Sequence, residues 1–210
     1  MNEIKISRYV IGAVGTNCYC LHREGEKAAV VFDPADLGEA LYHKLSEENG
    51  LTVEAIIITH GHFDHILGCE ALKKASGAKV YAPAAEKRLL SDSDMNHSAM
   101  YGRACTVVPD VYVEDGDEIT AAGITFRAIA TPGHTEGGFC YYVEEGHLLI
   151  SGDTLFCESV GRTDLPTGNM DTLTESIREK LFALPDDTRV FPGHMGETSI
   201  GHEKRFNPFV

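Results

Sequence analysis

The stretch Thr59-His60-Gly61-His62-Phe63-Asp64-His65 packs three imidazoles and a carboxylate into six residues, directly after the apolar run Ala55-Ile56-Ile57-Ile58. These are nitrogen and oxygen donors for a divalent metal. A buried strand gives a rigid platform, and ligands opening out at its end are within reach of a metal and a substrate. Four donors this close can serve parts of two metal sites, because alternate residues of an extended segment diverge. Three further strand-like segments end in the same manner: Thr131-Pro132-Gly133-His134, Ser151-Gly152-Asp153-Thr154 and Phe191-Pro192-Gly193-His194. Small residues and glycine ahead of each ligand let the backbone turn sharply towards a shared point. A mixed imidazole and carboxylate set without thiolate suits zinc, iron or manganese.

The elements that position these ligands follow from hydrophobic period and turn residues. Residues 3–11, 17–22 and 28–33 read as strands of a meander, and residues 38–48 as a helix with Leu41 and Leu45 on one stripe. A strand at 53–59 leads into the ligand-rich loop, followed by a helix at 66–76, a strand at 79–81 and a helix at 84–90. Residues 91–104 are polar and irregular, a loop placed to overhang a site and carrying His97. Strands at 111–113 and 124–129, a hairpin of 139–143 with 148–151, a helix at 171–183 and a strand at 189–191 complete the pattern. The last dozen residues read as polar, and His202 among them is a second histidine outside the clusters that can approach a site. No linker or repeat divides the chain, so residues 1–210 are expected to form one domain, two packed β-layers with helices on the outer faces.

Composition narrows the function. The chain has 210 residues, 43% hydrophobic and 24% charged, which is ordinary for a soluble globular protein. A net charge of −14, from 32 acidic and 18 basic residues, argues against a nucleic-acid surface, which needs a basic patch. No apolar stretch reaches the roughly 18–20 residues that span a bilayer, and Met1-Asn2-Glu3-Ile4-Lys5 lacks the layout of a secretory signal. A cytoplasmic protein without membrane or nucleic-acid partners is expected. Six cysteines form no CxxC pair, and several sit in apolar runs as buried reduced thiols do.

His60-Gly61-His62-Phe63-Asp64-His65 matches the HxHxDH motif of the metallo-β-lactamase superfamily, and His134, Asp153 and His194 follow in that family's ligand order. The resemblance covers nearly the whole chain. It implies an α/β fold of four αββα layers, with the site at one edge between two sheets. It also implies that His60, His62 and His134 hold one metal, that Asp64, His65 and His194 hold a second, and that Asp153 bridges them. Two divalent ions are implied, zinc first, with iron or manganese as alternatives. Asp33 and Thr59 would hold the ligand loop through hydrogen bonds.

Within that family, Thr16-Asn17-Cys18-Tyr19, Gly152-Asp153-Thr154-Leu155-Phe156 and Val160-Gly161-Arg162-Thr163-Asp164-Leu165-Pro166 resemble glyoxalase II-like hydrolases, of the short single-domain bacterial type. That resemblance implies hydrolysis of a small S-acyl thiol, such as a 2-hydroxyacyl thioester, by a hydroxide bridging the metals. Asp64 would orient the hydroxide, and Phe156, Arg162 and Lys204 would contact substrate, with Arg205 a further cation for a carboxylate. A thiol of pKa ~8.5 leaves as thiolate without a dedicated acid. The alternatives are a mononuclear iron oxygenase resembling persulfide dioxygenases, and a hydrolase of lactones or other esters. The chain is expected to act on its small-molecule thioester as a monomer or small homo-oligomer. Two departures stand out: the type usually continues Gly-His-Gly-Pro where this chain has Gly193-His194-Met195-Gly196, and a single domain without the helical domain of the long form is expected, so the resemblance does not imply glutathione specificity.

Overall fold

In the computed structural model, which describes residues 2–210, the first half of the chain forms a six-stranded sheet in simple sequence order. Its strands are β1 (Ile4–Ile11), β2 (Thr16–Arg23), β3 (Ala28–Phe32), β4 (Thr52–Ile57), β5 (Lys79–Pro83) and β6 (Val111–Val113). The β1–β2 and β2–β3 pairs are antiparallel, as in a meander, and β3 to β6 run parallel. The second sheet contains β7 (Glu118–Ala121), β8 (Ile124–Ala130), β9 (Phe139–Val143) and β10 (Leu148–Gly152). A separate two-stranded hairpin, β11 (Leu155–Phe156) and β12 (Ser159–Val160), comes next, and β13 (Arg189–Pro192) and β14 (Thr198–Ser199) complete the second sheet. Its strand order is β14-β13-β10-β9-β8-β7, with only β10 and β13 parallel.

The strands alternate between two apolar layers, as a period of two requires. Tyr19, Leu21, Val30, Phe32, Ala55 and Ile57 of the first sheet face Phe126, Tyr141, Ile150 and Phe191 of the second, and together they form the central core. The intervening residues Cys18, Cys20, Val31, Ile56 and Ile58 turn outward against helices. Both faces of the C-terminal half of β4 are therefore covered, which is why Ala55-Ile56-Ile57-Ile58 is a continuous apolar run, while Thr52 and Glu54 at its start alternate outward to solvent. Leu41 of α1 (Gly38–His43), which continues through a wider turn to Glu48, packs on that outer face beside Leu45 of the extension. Beyond the short α2 (Phe63–Ile66), Leu72 of α3 (Cys69–Ser76) and Leu90 of α4 (Lys87–Ser91) join them. On the other flank, Leu173 of α5 (Met170–Ser176), Ile177 and Leu181 of its extension, and Ile200 of α6 (Ile200–Phe206) cover Ile129, Cys140, Leu149 and Val190. The layers are αββα, the arrangement implied by the family resemblance.

Several boundaries differ from the sequence reading. The expected helix 66–76 is split, with Leu67 and Gly68 between α2 and α3. Gly68 N–H donates to the Pro34 carbonyl (2.8 Å) rather than back along the helix, and a Cβ there would lie 2.5 Å from that oxygen, so only glycine fits the break. The polar C-terminal dozen contains α6, capped by the Ser199 hydroxyl accepting from His202 N–H (3.2 Å) and anchored by buried Ile200 and Glu203. Strands β7, β11, β12 and β14 have at most four residues each, too short for a period to show. Among the described residues, no helix is long and apolar enough to cross a membrane.

Candidate metal centre

The ligand loop begins where β4 ends. Ile58 still donates to Tyr81 O (2.9 Å), then the chain turns so that His60, His62 and His65 are all buried, and α2 is a single turn carrying Asp64 and His65. His134 leaves β8 through Gly133, Asp153 leaves β10 through Gly152, and His194 leaves β13 through Gly193. Gly152 has φ +48°, and a Cβ there would lie 2.5 Å from Thr59 Oγ1. A Cβ on Gly193 would collide with the Asp153 carboxylate. Glycine is required at both positions because two ligand loops meet there.

The seven side chains come together. His134 Nε2 lies 2.9 Å from His62 Nδ1 and 3.3 Å from His60 Nε2, making one triad. Asp64, His65 and His194 make a second, with His194 Nε2 at 3.2 Å and His65 Nε2 at 3.6 Å from Asp64 Oδ2. Asp153 stands between them: its carboxylate oxygens are 3.3 Å from His65, 3.5 Å from His194 and 3.6 Å from His134.

The surrounding hydrogen bonds fix the imidazole tautomers. Asp33 Oδ2 accepts His65 Nδ1–H (2.9 Å) and the Thr59 hydroxyl (2.7 Å), while its Oδ1 accepts Thr59 N–H (2.8 Å). With its proton given to Asp33, Thr59 Oγ1 accepts from His60 Nδ1 (3.1 Å). The Arg162 carbonyl accepts His134 Nδ1–H (2.7 Å). His60 and His134 are therefore held by their outer N–H groups with Nε2 lone pairs turned inward, and Asp33 fixes the outer N–H of His65. The lone pairs of His60 and His134 face one another across 3.3 Å, and buried His62 Nε2 has no hydrogen-bond partner. Acceptors converging on acceptors repel, and a cation between them removes the repulsion. The residues present fit divalent metal ions.

The electrostatics agree. Burial holds the His60 imidazole well below its ordinary value, with His65 and His134 adding to it, and burial lowers His62 to about 3. These two rings stay neutral, as metal ligands need, whereas burial of His65 is outweighed by the Asp153, Asp64 and Asp33 carboxylates, which hold it well above its ordinary value, so a metal must displace its inner proton. Burial alone would raise the Asp64 carboxyl, but the His65 charge and hydrogen bonds from His194 and Thr16 bring it down to about 2. Burial likewise opposes Asp153, yet His65 and the His194 hydrogen bond hold it well below the carboxylate range.

Supports of this centre come from distant segments. Thr16 Oγ1 donates to Asp64 Oδ2 (2.7 Å). Asn17 donates to the carbonyls of Pro192 (2.8 Å) and Met195 (3.0 Å), and the Tyr19 hydroxyl to Pro192 (2.9 Å). The family-like Thr16-Asn17-Cys18-Tyr19 segment thus braces the His194 loop. Glu86 was not singled out by the sequence. Its buried carboxylate accepts Gly61 N–H (2.6 Å), the Thr135 hydroxyl (2.7 Å) and Gly137 N–H (2.9 Å), tying the first ligand loop to the loop of His134. Nothing in Ala84-Ala85-Glu86-Lys87-Arg88 distinguishes it from a solvated helical glutamate.

The substrate candidates divide. Phe156 is nearly buried, its ring centroid 6.1 Å from that of His194. Arg162 reaches the centre through its carbonyl, whereas its guanidinium is exposed and bidentate to Asp164 (2.7 Å twice). Lys204 is bound to Asp186 (2.6 Å) and the Leu184 carbonyl (3.4 Å), with none of the seven ligands among its partners. The 91–104 loop lies against the ligand loop: Phe63 N–H donates to Asn96 O (2.9 Å), and the His97 ring is 5.9 Å from that of His62. His202 instead pairs with Glu158 (3.0 Å).

Comparison with known proteins gives the same picture. A probable metallo-hydrolase of Bacillus subtilis is 38% identical over 212 residues, covering 99% of this chain and 98% of that protein. The hydroxyacylglutathione hydrolase GloC of Haemophilus influenzae is 33% identical over 203 residues, covering 95% of each. Among solved structures, the BLEG-1 B3 metallo-beta-lactamase superposes with a TM-score of 0.92 at 38% identity, covering 98% of this chain and 99% of that one. The sequence profile of the metallo-beta-lactamase superfamily matches residues 11–194. Because that match takes in every residue of both clusters, from His60 to His194, the chain belongs to the metallo-beta-lactamase superfamily.

Proposed function

We propose that this protein is a metal-dependent thioesterase that hydrolyses a small S-acyl thiol, in the manner of hydroxyacylglutathione hydrolases. The observation that carries the hydrolytic part is the pair of nitrogen and oxygen clusters sharing Asp153. Similarity across 95% of both chains to a hydroxyacylglutathione hydrolase supports the acyl-thiol part. His60, His62 and His134 would hold one ion, Asp64, His65 and His194 a second, with Asp153 shared between them; zinc is the first choice and iron or manganese the alternatives. When bound, the metals supply Lewis acidity, acidifying water and polarising a carbonyl.

The chain's own groups do the rest. Thr16 donates to Asp64 Oδ2, fixing the carboxylate so that it would hold the ion in place of its metal-free contact with His194 while also orienting the attacking water and taking its proton. The water oxygen forms a bond to the acyl carbon and the carbon–sulfur bond breaks. The electron pair leaves on sulfur as thiolate, and the carboxylic acid formed ionises, so the products are a carboxylate, a thiolate and two protons, one passed through Asp64 and one released to solvent. A thiol of pKa ~8.5 leaves without a proton donor, whereas the amide nitrogen expelled from a β-lactam must gain a proton. Phe156, beside His194, offers an apolar wall to the acyl or thiol chain.

The test is a panel assayed with metal-loaded protein. It contains 2-hydroxyacyl thioesters of glutathione and of smaller thiols, a lactone, a cephalosporin, and glutathione persulfide with an oxygen electrode. Thiol release from one thioester, with kcat/KM of ~10⁴ M⁻¹s⁻¹ or more and at least 100-fold above the other classes, is expected. Preferential cephalosporin opening, the activity suggested by the name of the BLEG-1 structure, or oxygen uptake with the persulfide would replace this reading.

A further inference from the structure

The hairpin that follows Asp153 carries a second group of metal-binding side chains. Its two-residue turn is Cys157-Glu158, with Glu158 at φ +52°, and α6 lies against it. Donor atoms of Cys157, His202 and Glu203 lie within 4.8 Å of one another. His202 Nε2 is 3.0 Å from Glu158 Oε1 and 4.0 Å from Glu203 Oε1, which leaves a second carboxylate in reach.

Glu203 supplies an independent sign of a cation. Its side chain is 0% exposed, and it accepts Glu158 N–H (2.9 Å), the Asn207 amide (2.8 Å) and the Thr198 hydroxyl. Hydrogen bonds satisfy its oxygens but do not neutralise its charge. Among the described residues its only ionic neighbour is His202, at 4.0 Å, and no lysine or arginine pairs with it. A buried carboxylate is ordinarily matched by a positive partner. A divalent ion held jointly with a thiolate and an imidazole would provide that match.

We propose that Cys157, His202 and Glu203 form a third metal site, separate from the Asp153 clusters and suited to a thiophilic divalent cation of the zinc type, with Glu158 able to complete the shell. One thiolate, one imidazole and carboxylate oxygen are the donors of a four-coordinate zinc site. The consequence is mechanical. The hairpin holds Phe156 beside His194 and leads through Val160 to Arg162, whose carbonyl orients His134. A metal here pins that segment to α6. The site needs no particular substrate and stands apart from the thioesterase reading.

Cobalt separates this site from the others, because only it contains sulfur. Full-length protein stripped of metal and loaded with Co²⁺ should show a sulfur-to-cobalt charge-transfer band in the near ultraviolet, saturating by three equivalents because the two Asp153-linked clusters take the others. The band should vanish in Cys157→Ser, persist in Cys105→Ser, and need at least ten-fold more cobalt in His202→Ala. Far-ultraviolet circular dichroism of Cys157→Ser, whose change lies in a partly exposed turn, checks that the fold is retained. No thiolate band at saturating cobalt, or a band that survives Cys157→Ser, would overturn the proposal.

Discussion

Asp33 receives three hydrogen bonds on two oxygens, from Thr59 N–H, the Thr59 hydroxyl and His65 Nδ1–H, and it sits at φ +47° to do so. Asn at this position would turn an amide N–H towards at least one of those donors. Asp33→Asn should therefore free the His65 ring and, through Thr59, the His60 ring, weakening metal binding by about 10–100-fold. Competition with a chromophoric chelator measures this, and an unchanged affinity would show that Asp33 does not orient the ligands. Met195 is a second informative residue. It occupies φ +70°, where the Gly-His-Gly-Pro pattern of similar hydrolases has glycine, and its carbonyl accepts from Asn17 and Arg8. A side chain in this region costs ~1–2 kcal/mol, offset in part by the greater freedom of glycine in the unfolded chain. Met195→Gly is expected to raise stability by up to about 1 kcal/mol in urea unfolding of the metal-free protein, and a loss of stability would show the Met195 side chain to be a packing element.

Ligands presented at the ends of elements were legible because the sequence marks each one: an apolar run, then small residues or glycine, then His or Asp. His134, Asp153 and His194 all carry that mark. The elements that fasten those loops do not. Glu86 follows a strand with no distinguishing neighbours, yet its carboxylate joins the Gly61 loop to Thr135 and Gly137. Burial pushes its carboxyl up, and the three hydrogen bonds only partly reverse this. Glu86→Ala leaves two backbone N–H groups and a hydroxyl without their acceptor, at ~1–3 kcal/mol per unsatisfied group, less what is regained by removing a buried carboxylate. A loss of about 2–3 kcal/mol is expected from the urea midpoint, with Glu86→Gln intermediate because its amide N–H would face Gly61 N–H. A midpoint within about 0.5 kcal/mol of the parent would contradict the role. Helix α6 and the β11–β12 hairpin were hidden for a related reason. They are too short for a hydrophobic period, and α6 depends on a Ser199 cap and a buried glutamate. Lys204 shows the limit of reading single charges, since its contact with Asp186 depends on a turn far away in sequence.

Over the whole molecule, folding brings all seven donors to one edge of the two-sheet sandwich and leaves them with more acceptors than protons. Burial lowers the His194 imidazole, but its hydrogen bonds to Asp153 and Asp64 outweigh this and hold it at about 9. Near neutral pH the metal-free protein keeps that proton, and a metal must displace it. In the metal-free protein this raised value stabilises the fold below the unfolded pKa of ~6.5, and that contribution is lost as pH rises through about 9. Metal affinity runs the opposite way, rising with pH up to about 9 by as much as ten-fold per unit for each proton displaced. Loading should release protons into weakly buffered solution at pH 7, and an affinity independent of pH between 6.5 and 8.5 would contradict this. The most direct test of the two-metal account is a titration of metal-free Cys157→Ser protein, in which only the imidazole and carboxylate clusters bind, followed by thiol release from a 2-hydroxyacyl thioester. Activity should rise with the second equivalent and be reduced at least 100-fold in an Asp153→Ala version of the same protein. Full activity at one equivalent, or no thiol release at two, would contradict a reaction carried out by the paired clusters around Asp153.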